Sequence, residues 1–484
     1  MKTDFIAEPE LEFGSGSRHV DVRFGLLNYG PLDLGWALAP KHIKLGIVGS
    51  AESIEGTLGW LERCRNEIAA KKSKKPNLFP RFPGFSLDSC FRSEIVMDAR
   101  LHRTLQASEL SAIEGIEDAR ERLNQAAQMY LRVARGLVEG TTVDVILCAL
   151  PMSLFLSLER AEAELFVKSR AIRASDEGPL DFHDLLKAIA MPLLKPLQLI
   201  LPMTYGVRRP KSEVPTWKRE RERLQDEATR AWNFYTGLYY KAGGTPWRLA
   251  RDSSQLTTCY IGVSFYRTID NSKLQTSVAQ VFNERGEGII VRGGAARVSK
   301  EDPQPHLSAE ASFELLDKAI VRYRDEHFTA PARVVLHKTS SYTDEECDGF
   351  AGALKKYQIA THDFLSDSKR MARLFRVGAY PPLRGTLWSL DDINHLLYTR
   401  GSVPFFETYT GLYVPRTLAF RREACEQTAR FLAGELLALT KMNWNNTQFD
   451  GRDPITTKAA REVGAILKHI PEGEAIATRY SFYM

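Results

Sequence analysis

Four polar side chains between residues 183 and 241 have the chemistry to hold a phosphate group. His183 and Lys187 are four residues apart in a helical stretch, DFHDLLKAIA, so they project from one face of that helix. Gln198 opens the apolar strand-like run LQLILP, and Lys241 ends a predicted helix just before a glycine pair suited to a helix C-cap. A terminal phosphate is a dianion that needs cationic donors, and a neutral amide can fix its orientation. Each residue alone fits a solvated or capping position, but the combination predicts an anion pocket.

A second set of positions, at the ends of two predicted core strands, lacks the residues that cutting chemistry needs. YIGVSFYR (residues 260–267) has the pattern of a buried strand, and ARVVLHKTSS (332–341) that of the next core strand. In RNase H-like nuclease cores, aspartates at these two strand ends bind catalytic metal, whereas this chain has Ser264 and Thr339. Two-metal hydrolysis requires carboxylates around both cations, and neutral hydroxyls are poor substitutes. The sequence therefore predicts a nuclease scaffold that does not cut.

Other acidic residues do not restore such a site. The predicted hairpin offers Glu284 or Glu287 as a glutamate ligand, but a lone glutamate cannot hold two metals. Asp270 lies six residues beyond Ser264 and is expected to be off the strand. The residues near the expected fourth ligand position are Asn443, Asn445 and Asn446.

The first half of the chain alternates strand-like and helix-like segments. Strands are predicted at residues 43–50, 93–99 and 143–151, with a long helix at about 110–138. Alternation at this spacing favours βαβ units in a parallel, Rossmann-like sheet. No GxGxxG follows the first strand, which argues against a dinucleotide-binding dehydrogenase.

The second half opens with a helix, and a hairpin and strand–helix alternation follow. The remaining predictions are strands at 257–265, 333–338, 359–363, 386–390 and 413–421, a hairpin at 277–293, and helices at 309–326, 422–439 and 455–469. This order is typical of an RNase H-like mixed sheet. The fold class predicted is α/β, with a Rossmann-like domain at residues 1–210 and an RNase H-like domain at 211–484. The boundary lies in the polar stretch at 206–223.

Composition limits the class of protein further. The 484 residues carry a net charge of +5 and are 44% hydrophobic, as in ordinary soluble globular proteins. The mild positive charge permits a nucleic-acid partner without demonstrating one. Six scattered cysteines form no CxxC pair, so no zinc pattern is present, and reduced thiols in a cytoplasmic protein are expected. We expect no signal peptide and no membrane span, since no apolar run is long enough.

The motif HDxxK, with Gln eleven residues later and a helix ending KxGG, resembles the guide 5′-phosphate pocket of Argonaute proteins. The stretches LEFGSGSRHVDVRFGLLNYGPLDL and LTKMNWNNTQFDGRDPITTKAAREVG also resemble prokaryotic Argonautes. The length leaves no room for N-terminal and PAZ domains, so the chain resembles a short prokaryotic Argonaute, with MID and PIWI domains only. His183 departs from the tyrosine or arginine that is usual at that position in long Argonautes.

The resemblance implies specific roles for residues of this chain. The guide 5′-phosphate would be held by His183, Lys187, Gln198 and Lys241. A Mg²⁺ would sit beside it, bound by Gln198 and the carboxylate of Met484. The loop at residues 202–208 would contact the first guide base, and Arg267 and Lys338 would face guide or target phosphates.

The resemblance also implies a function. Inactive short Argonautes bind a 5′-phosphorylated guide RNA, recognise single-stranded target DNA, and activate a separate APAZ-domain partner in prokaryotic antiviral defence. That partner carries a TIR, SIR2 or nuclease effector, and the expected assembly is a heterodimer or a higher oligomer after activation. Two alternatives stay open at this point: a metal-dependent guided endonuclease with rearranged ligands, and a structural subunit that binds only protein.

Overall fold

The computed structural model describes residues 2–171, 180–210, 225–250, 255–269, 272–282, 288–367, 372–374, 381–411, 414–449 and 451–484. In the described part of the chain, no helix combines the length and apolar character needed to cross a bilayer.

A parallel sheet with flanking helices forms most of the first half. The strands of the first half are β1 (Lys2–Phe5), β2 (Leu11–Glu12), β3 (Arg18–His19), β4 (His42–Gly49), β5 (Glu94–Val96), β6 (His102–Thr104), β7 (Val145–Ala149) and β8 (Leu197–Ile200), of which β4 to β8 form this sheet. Its helices are α1 (Val22–Tyr29), α2 (Ala51–Arg63), α3 (Ala107–Glu114), α4 (Ala119–Gly140), α5 (Met152–Ala171) and α6 (Phe182–Ala190). Strands β5, β4, β7 and β8 lie side by side in parallel, and β6 also pairs with β4. The predicted Rossmann-like arrangement is confirmed.

The single long helix predicted at about 110–138 is two helices. Helix α3 ends at Glu114 with Gly115 as its C-cap, and Asp118 caps the start of α4 by accepting a hydrogen bond from the amide of Glu121 at 2.8 Å. The cap satisfies an amide at the first turn that would otherwise lack a partner, so the break is a true helix start.

A nine-stranded mixed sheet organises the second half. The elements of the second half are α7 (Glu227–Lys241), β9 (Arg248–Leu249), β10 (Thr258–Arg267), β11 (Leu274–Phe282), β12 (Ile290–Ala295), α8 (Ala309–His327), β13 (Arg333–Lys338), α9 (Asp344–Lys356), β14 (Thr361–Asp367), β15 (Thr386–Ser389), β16 (Asn394–Leu397), β17 (Ser402–Val403), β18 (Thr408–Tyr409), β19 (Leu418–Cys425), α10 (Ala429–Leu439) and α11 (Ile455–Leu467). The sheet order is β1-β15-β16-β19-β14-β13-β10-β11-β12. Strand β10 pairs in parallel with β13 and antiparallel with β11, as the predicted RNase H-like core requires.

The predicted helix at 422–439 was wrong at its start. Residues up to Cys425 extend β19, which pairs with β14 and β16, and α10 begins after its N-cap Thr428. The ladder on both sides of β19 outweighs the helical pattern of its last residues.

Two helices connect the halves. Helix α7 places Trp232 and Tyr235 against Phe82 and Phe85 of the first half, with ring centroids 5.4 Å apart for Trp232–Phe82 and 4.5 Å for Tyr235–Phe85. Helix α11 packs on β10 and β11 on one side and on α6 on the other. The aromatic contacts bury large apolar surfaces across the boundary, so Lys241 at the end of α7 is held firmly against the first half.

The N-terminal strand belongs to the sheet of the second half. Strand β1 pairs antiparallel with β15 at one edge of the nine-stranded sheet. Glu8 then forms ion pairs with Arg384 at 2.9 Å and Lys441 at 3.1 Å. This strand was not predicted, since KTDF is short and largely polar. The boundary predicted at residues 210 and 211 adjoins residues 211–224, which lie outside the described residues.

Candidate phosphate-binding site

Lys187 is buried at the contact between the two halves. Helix α6 begins at its N-cap Asp181, which accepts a hydrogen bond from the amide of Asp184 at 3.1 Å. Lys187, one turn further, is only 2% exposed, and its ammonium donates to the carbonyl of Tyr483 at 3.3 Å. His183 lies one turn earlier with its side chain 44% exposed, and Nδ1 is 3.2 Å from a carboxylate oxygen of Asp184.

Lys241 and Gln198 meet directly. The Lys241 ammonium donates to Oε1 of Gln198, and Gln198 Nε2 donates to the Leu199 carbonyl at 3.1 Å. Lys241 is the last residue of α7, and Gly243 ends the helix in a left-handed conformation with φ of +97°. The following Gly244 is packed so tightly on the ring of Tyr239 that a Cβ would lie 2.2 Å from it. The glycine pair predicted as a C-cap is confirmed, and it turns the chain immediately after the lysine.

Neither ammonium group forms an ion pair with a carboxylate among the described residues, and the charge of Lys187 acts on Lys241. Burial and, after it, the charge of Lys187 hold the pKa of Lys241 well below its usual range. Burial lowers the pKa of Lys187 to about 8, against the more distant charges of Asp184, Glu462 and Asp181. Burial and then Lys187 also lower the pKa of His183. An anion bound in this space would attract both lysines and so offset their mutual repulsion and raise their pKa values.

A comparison with the other buried cations shows how unusual this pair is. The buried lysine and arginine side chains among the described residues are Arg23, Lys187, Lys241, Arg333, Lys338, Arg384 and Lys441. Five of these seven lie within 4 Å of a carboxylate. Lys187 and Lys241 instead contact only neutral oxygens. Because a buried charge normally needs a counter-charge, the pair is a ready site for an anion.

Three of the four predicted pocket residues therefore converge: Lys187, Gln198 and Lys241. His183 lies one turn from Lys187 on α6, with 44% of its side chain exposed. Sequence reasoning missed Glu462 and the carbonyl of Tyr483. Neither could be found from spacing, because both come from the last 23 residues and reach the pocket only through packing of α11 on α6.

The residues predicted to bind a cation fit it only in part. The amide oxygen of Gln198 is a suitable hard ligand for Mg²⁺, but it already accepts a hydrogen bond from Lys241. Met484, the second predicted ligand, is 2% exposed and follows the residue that contacts Lys187. A separate group of possible ligand atoms, from Asp181, His183 and Asp184, lies within 4.8 Å of one another at the start of α6.

The two strand ends that lack carboxylates lie side by side, as predicted. Thr339 Oγ1 donates to Ser264 Oγ at 3.4 Å, and the Thr339 amide donates to the Val263 carbonyl at 3.0 Å. Ser264 is 3% exposed. In the described part of the chain, no group of three carboxylate, imidazole or thiol ligands gathers at these strand ends. Glu284, Glu287 and Asp270 lie outside the described residues.

Of the two predicted backbone contacts, only one is accessible. Arg267 is exposed at the end of β10. Lys338 has no exposed surface; its ammonium is 2.7 Å from a carboxylate oxygen of Glu346, which is equally buried. The structure contradicts the prediction that Lys338 faces a nucleic-acid backbone, because its charge is neutralised inside the sheet–helix layer.

A basic cleft adjoins the pocket. It has a volume of about 280 Å³ and is lined by Arg400, Arg452, Lys458, Arg461, Asn443 and Glu462, among others. Glu462 acts on Lys187 as well, so cleft and pocket share one side chain. At its margin Arg461 lies 3.5 Å from Asp367, whose pKa is raised to about 6 by burial. The cleft holds four cations against two carboxylates, Asp453 and Glu462. Asp453 pairs with Arg452 and Arg461, and Glu462 with Lys458, so a small positive excess is left to favour an anionic ligand.

Comparisons with known proteins identify the fold. No protein-family model matches the sequence, and no curated protein matches it. Solved structures do match: Clostridium butyricum Argonaute bound to a guide DNA and a 19-mer target DNA has a TM-score of 0.63 and 14% identity over 98% of this chain. Aa-Ago with externally bound siRNA has a TM-score of 0.58 and 12% identity over 99% of this chain. A. aeolicus Argonaute has a TM-score of 0.56 and 14% identity over 98% of this chain.

The chain therefore has the MID–PIWI fold of Argonaute proteins, and the predicted fold class is confirmed. It spans 53%, 56% and 54% of those three chains, about half of their length. Identities this low establish the fold alone.

The depressed pKa of Lys187 predicts a pH dependence of stability. Its folded pKa of about 8 lies below the 10.5 of an exposed lysine, so the unfolded chain binds more protons between these values. The loss of folding stability caused by burying the charged Lys187 is complete below pH 8 and disappears as the pH rises towards 10.5. We expect wild type to gain stability relative to Lys187→Met over pH 7.5 to 10, measured by urea unfolding. A constant difference across that range would show that Lys187 titrates normally.

The Lys338–Glu346 pair predicts a second stability effect. Glu346→Gln keeps the shape but leaves the Lys338 charge buried and unpaired, which should cost about 3–5 kcal/mol in the free energy of unfolding. The double variant with Lys338→Met should recover much of that loss. Denaturant titration measures both, and an additive double variant would contradict a buried ion pair.

Proposed function

We propose that this chain is the guide-binding, non-cutting subunit of a prokaryotic immune system. It binds the 5′-phosphorylated end of a guide RNA and recognises a complementary single-stranded DNA. An APAZ-domain effector then carries out the response. The guide's sequence is read by base pairing, while the protein holds backbone and phosphate.

The carrying observation is the unpaired lysine pair, Lys187 and Lys241. Both ammoniums are buried at the junction of the two halves, and both contact only neutral oxygens. A guide 5′-phosphate would supply the missing negative charge and accept several charge-assisted hydrogen bonds. His183, at the exposed side of the same helix face, would complete the set, and Gln198 would fix the orientation of the phosphate.

The surroundings of the pocket support a nucleic-acid ligand rather than a small anion. The basic cleft shares Glu462 with the pocket, and the excess of its four cations over Asp453 and Glu462 could contact a nucleic-acid backbone beyond the first phosphate. Arg267 is exposed for a similar contact. The loop proposed to meet the first guide base is well anchored: Arg230 donates to the Met203 carbonyl at 2.9 Å, and the Tyr205 hydroxyl donates to the Leu150 carbonyl.

A Mg²⁺ beside the phosphate is part of the proposal, with Gln198 and Met484 as its protein ligands. It would neutralise phosphate charge. Because Lys241 already contacts the Gln198 oxygen, the lysines supply cationic charge in the pocket whether or not the ion is bound.

The absence of cutting is supported by the paired hydroxyls of Ser264 and Thr339, 3.4 Å apart where metal-binding aspartates would stand. The effector partner, whether a TIR, SIR2 or nuclease protein, and the cytoplasmic heterodimer rest on the resemblance of the sequence. Among the structural neighbours, the Clostridium butyricum protein was solved with a guide DNA and a target DNA.

The proposal predicts phosphate-dependent guide binding. Lys187→Ala with Lys241→Ala should weaken binding of a 5′-phosphorylated RNA by about 100-fold or more, because two charge-assisted contacts of about 1.5–3 kcal/mol each are lost. Binding of the same RNA with a 5′-hydroxyl should change little. Filter binding of both RNAs measures this, with Lys300→Ala and Lys355→Ala as an exposed-lysine control. Equal loss for both RNAs would place the phosphate elsewhere.

The proposal also predicts that the protein does not cut its target. With a phosphorylated guide and a fully paired DNA target, no fragment should appear in Mg²⁺ or Mn²⁺ on a denaturing gel. A discrete product cut opposite a fixed guide position would contradict the proposed sensor and favour the metal-dependent endonuclease. If instead no short 5′-phosphorylated RNA accompanies the purified protein and none binds it, the structural subunit is favoured.

A further inference from the structure

The last nine residues, 476–484, connect the candidate phosphate site to a distant strand; they are called the C-terminal segment below. At one end, the Tyr483 carbonyl accepts the hydrogen bond of Lys187 at 3.3 Å. Three residues earlier, the Tyr480 hydroxyl donates to Glu462 at 3.0 Å. Glu462 lies on α11 and borders both the pocket and the basic cleft.

At its other end the segment runs along the hairpin strand β12, at an edge of the nine-stranded sheet. The Ile290 amide donates to the Thr478 carbonyl at 2.7 Å, and the Tyr480 amide donates to the Gly288 carbonyl at 3.0 Å. Arg292 of β12 also donates to the carbonyls of Ile470 and Pro471, at 3.0 and 2.8 Å. Ile470 and Pro471 lie in the turn that follows α11 and leads into the segment.

The segment is packed rather than frayed. Tyr480 has no exposed surface, and Tyr483 and Met484 are each 2% exposed within the largest hydrophobic core. Because these side chains are locked in the core, a shift of the segment at β12 must change the position of the Tyr483 carbonyl at Lys187.

We propose that Arg292 and Tyr480 are positioning residues for the phosphate site, and that occupancy of that site in turn stabilises the β12 edge through the C-terminal segment. This inference rests on the proposed function. Neither residue is in the set that holds the phosphate; each acts by fixing the carbonyl that orients Lys187. Coupling of this kind is reciprocal, so a bound phosphate must tighten β12 by the same free energy that β12 contributes to phosphate binding.

The physical link is the hydrogen bond between Lys187 and Tyr483. A phosphate that binds the Lys187 ammonium fixes the position of this donor, and a charged donor forms a stronger hydrogen bond to the carbonyl than a neutral donor does. The ammonium has three donors, so it can keep the Tyr483 carbonyl while it binds the phosphate. Guide binding therefore fastens the segment instead of displacing it.

The test compares a guide RNA that carries a 5′-phosphate with the same RNA carrying a 5′-hydroxyl, on wild type, Arg292→Gln, Arg292→Lys and Tyr480→Phe. The matched control is Arg297→Gln, which removes the same charge from an exposed position just beyond β12. The ratio of the two affinities reports on the phosphate contact alone. We expect it to fall about 5-fold or more in Arg292→Gln and Tyr480→Phe, to recover partly in Arg292→Lys, and to stay unchanged in the control.

Amide hydrogen exchange of residues 288–295 provides the reciprocal readout. Exchange should slow when the phosphorylated guide binds wild type, and should not slow with the hydroxyl guide. The inference is overturned if wild type discriminates between the guides while the ratio is unchanged in both Arg292→Gln and Tyr480→Phe. Equal loss for both guides also overturns it, since that indicates a merely structural role. Failure of wild type to discriminate would instead remove the proposed function itself.

Discussion

The placement of two buried lysines next to each other, without a carboxylate, is the constraint around which the junction of the two halves is built. Desolvating one ammonium costs several kcal/mol, and a second one nearby adds repulsion. The chain meets this cost with four elements, α6, β8, α7 and the C-terminal segment, each of which contributes a donor or a neutral acceptor. A fold that needed only stability would have paired these lysines or replaced them, as it did elsewhere.

The same chain shows how it treats buried cations whose role is structural. Arg333 of β13 bridges Asp363 of β14 and Glu435 of α10 at 2.6 Å each. Arg384 and Lys441 share Glu8, and in doing so they tie the N-terminal residues to the second half. In these cases a counter-charge is supplied from within the protein. Lys187 and Lys241 instead contact only neutral oxygens. We therefore infer that a ligand supplies the negative charge that balances them.

The sequence predicted the elements that carry the site better than the contacts between them. Strands β10 and β13, which position Ser264 and Thr339, were predicted from apolar runs, and their side-by-side position followed from the RNase H-like order. The convergence of Lys187, Gln198 and Lys241 followed from a motif. By contrast, the burial of Lys338 depends on Glu346, which lies eight residues later in a helix that the sequence pattern did not indicate. The pairing of β1 with β15 joins residues almost 390 positions apart, and no local pattern specifies it.

Helix α11 lies next to both the candidate phosphate site and the strands that position Ser264 and Thr339. Its Thr456 lies 2.7 Å from His337 on β13, two residues before Thr339, while Glu462 faces Lys187. The His337 imidazole is buried and its pKa is lowered to about 3, so this contact stays neutral at any physiological pH. At this contact, a movement of α11 on phosphate binding would therefore be transmitted to the sheet by packing and not by charge. In a protein whose proposed role is to report binding rather than to cut, that rigid link would be a direct route from the guide's end to the core of the second half.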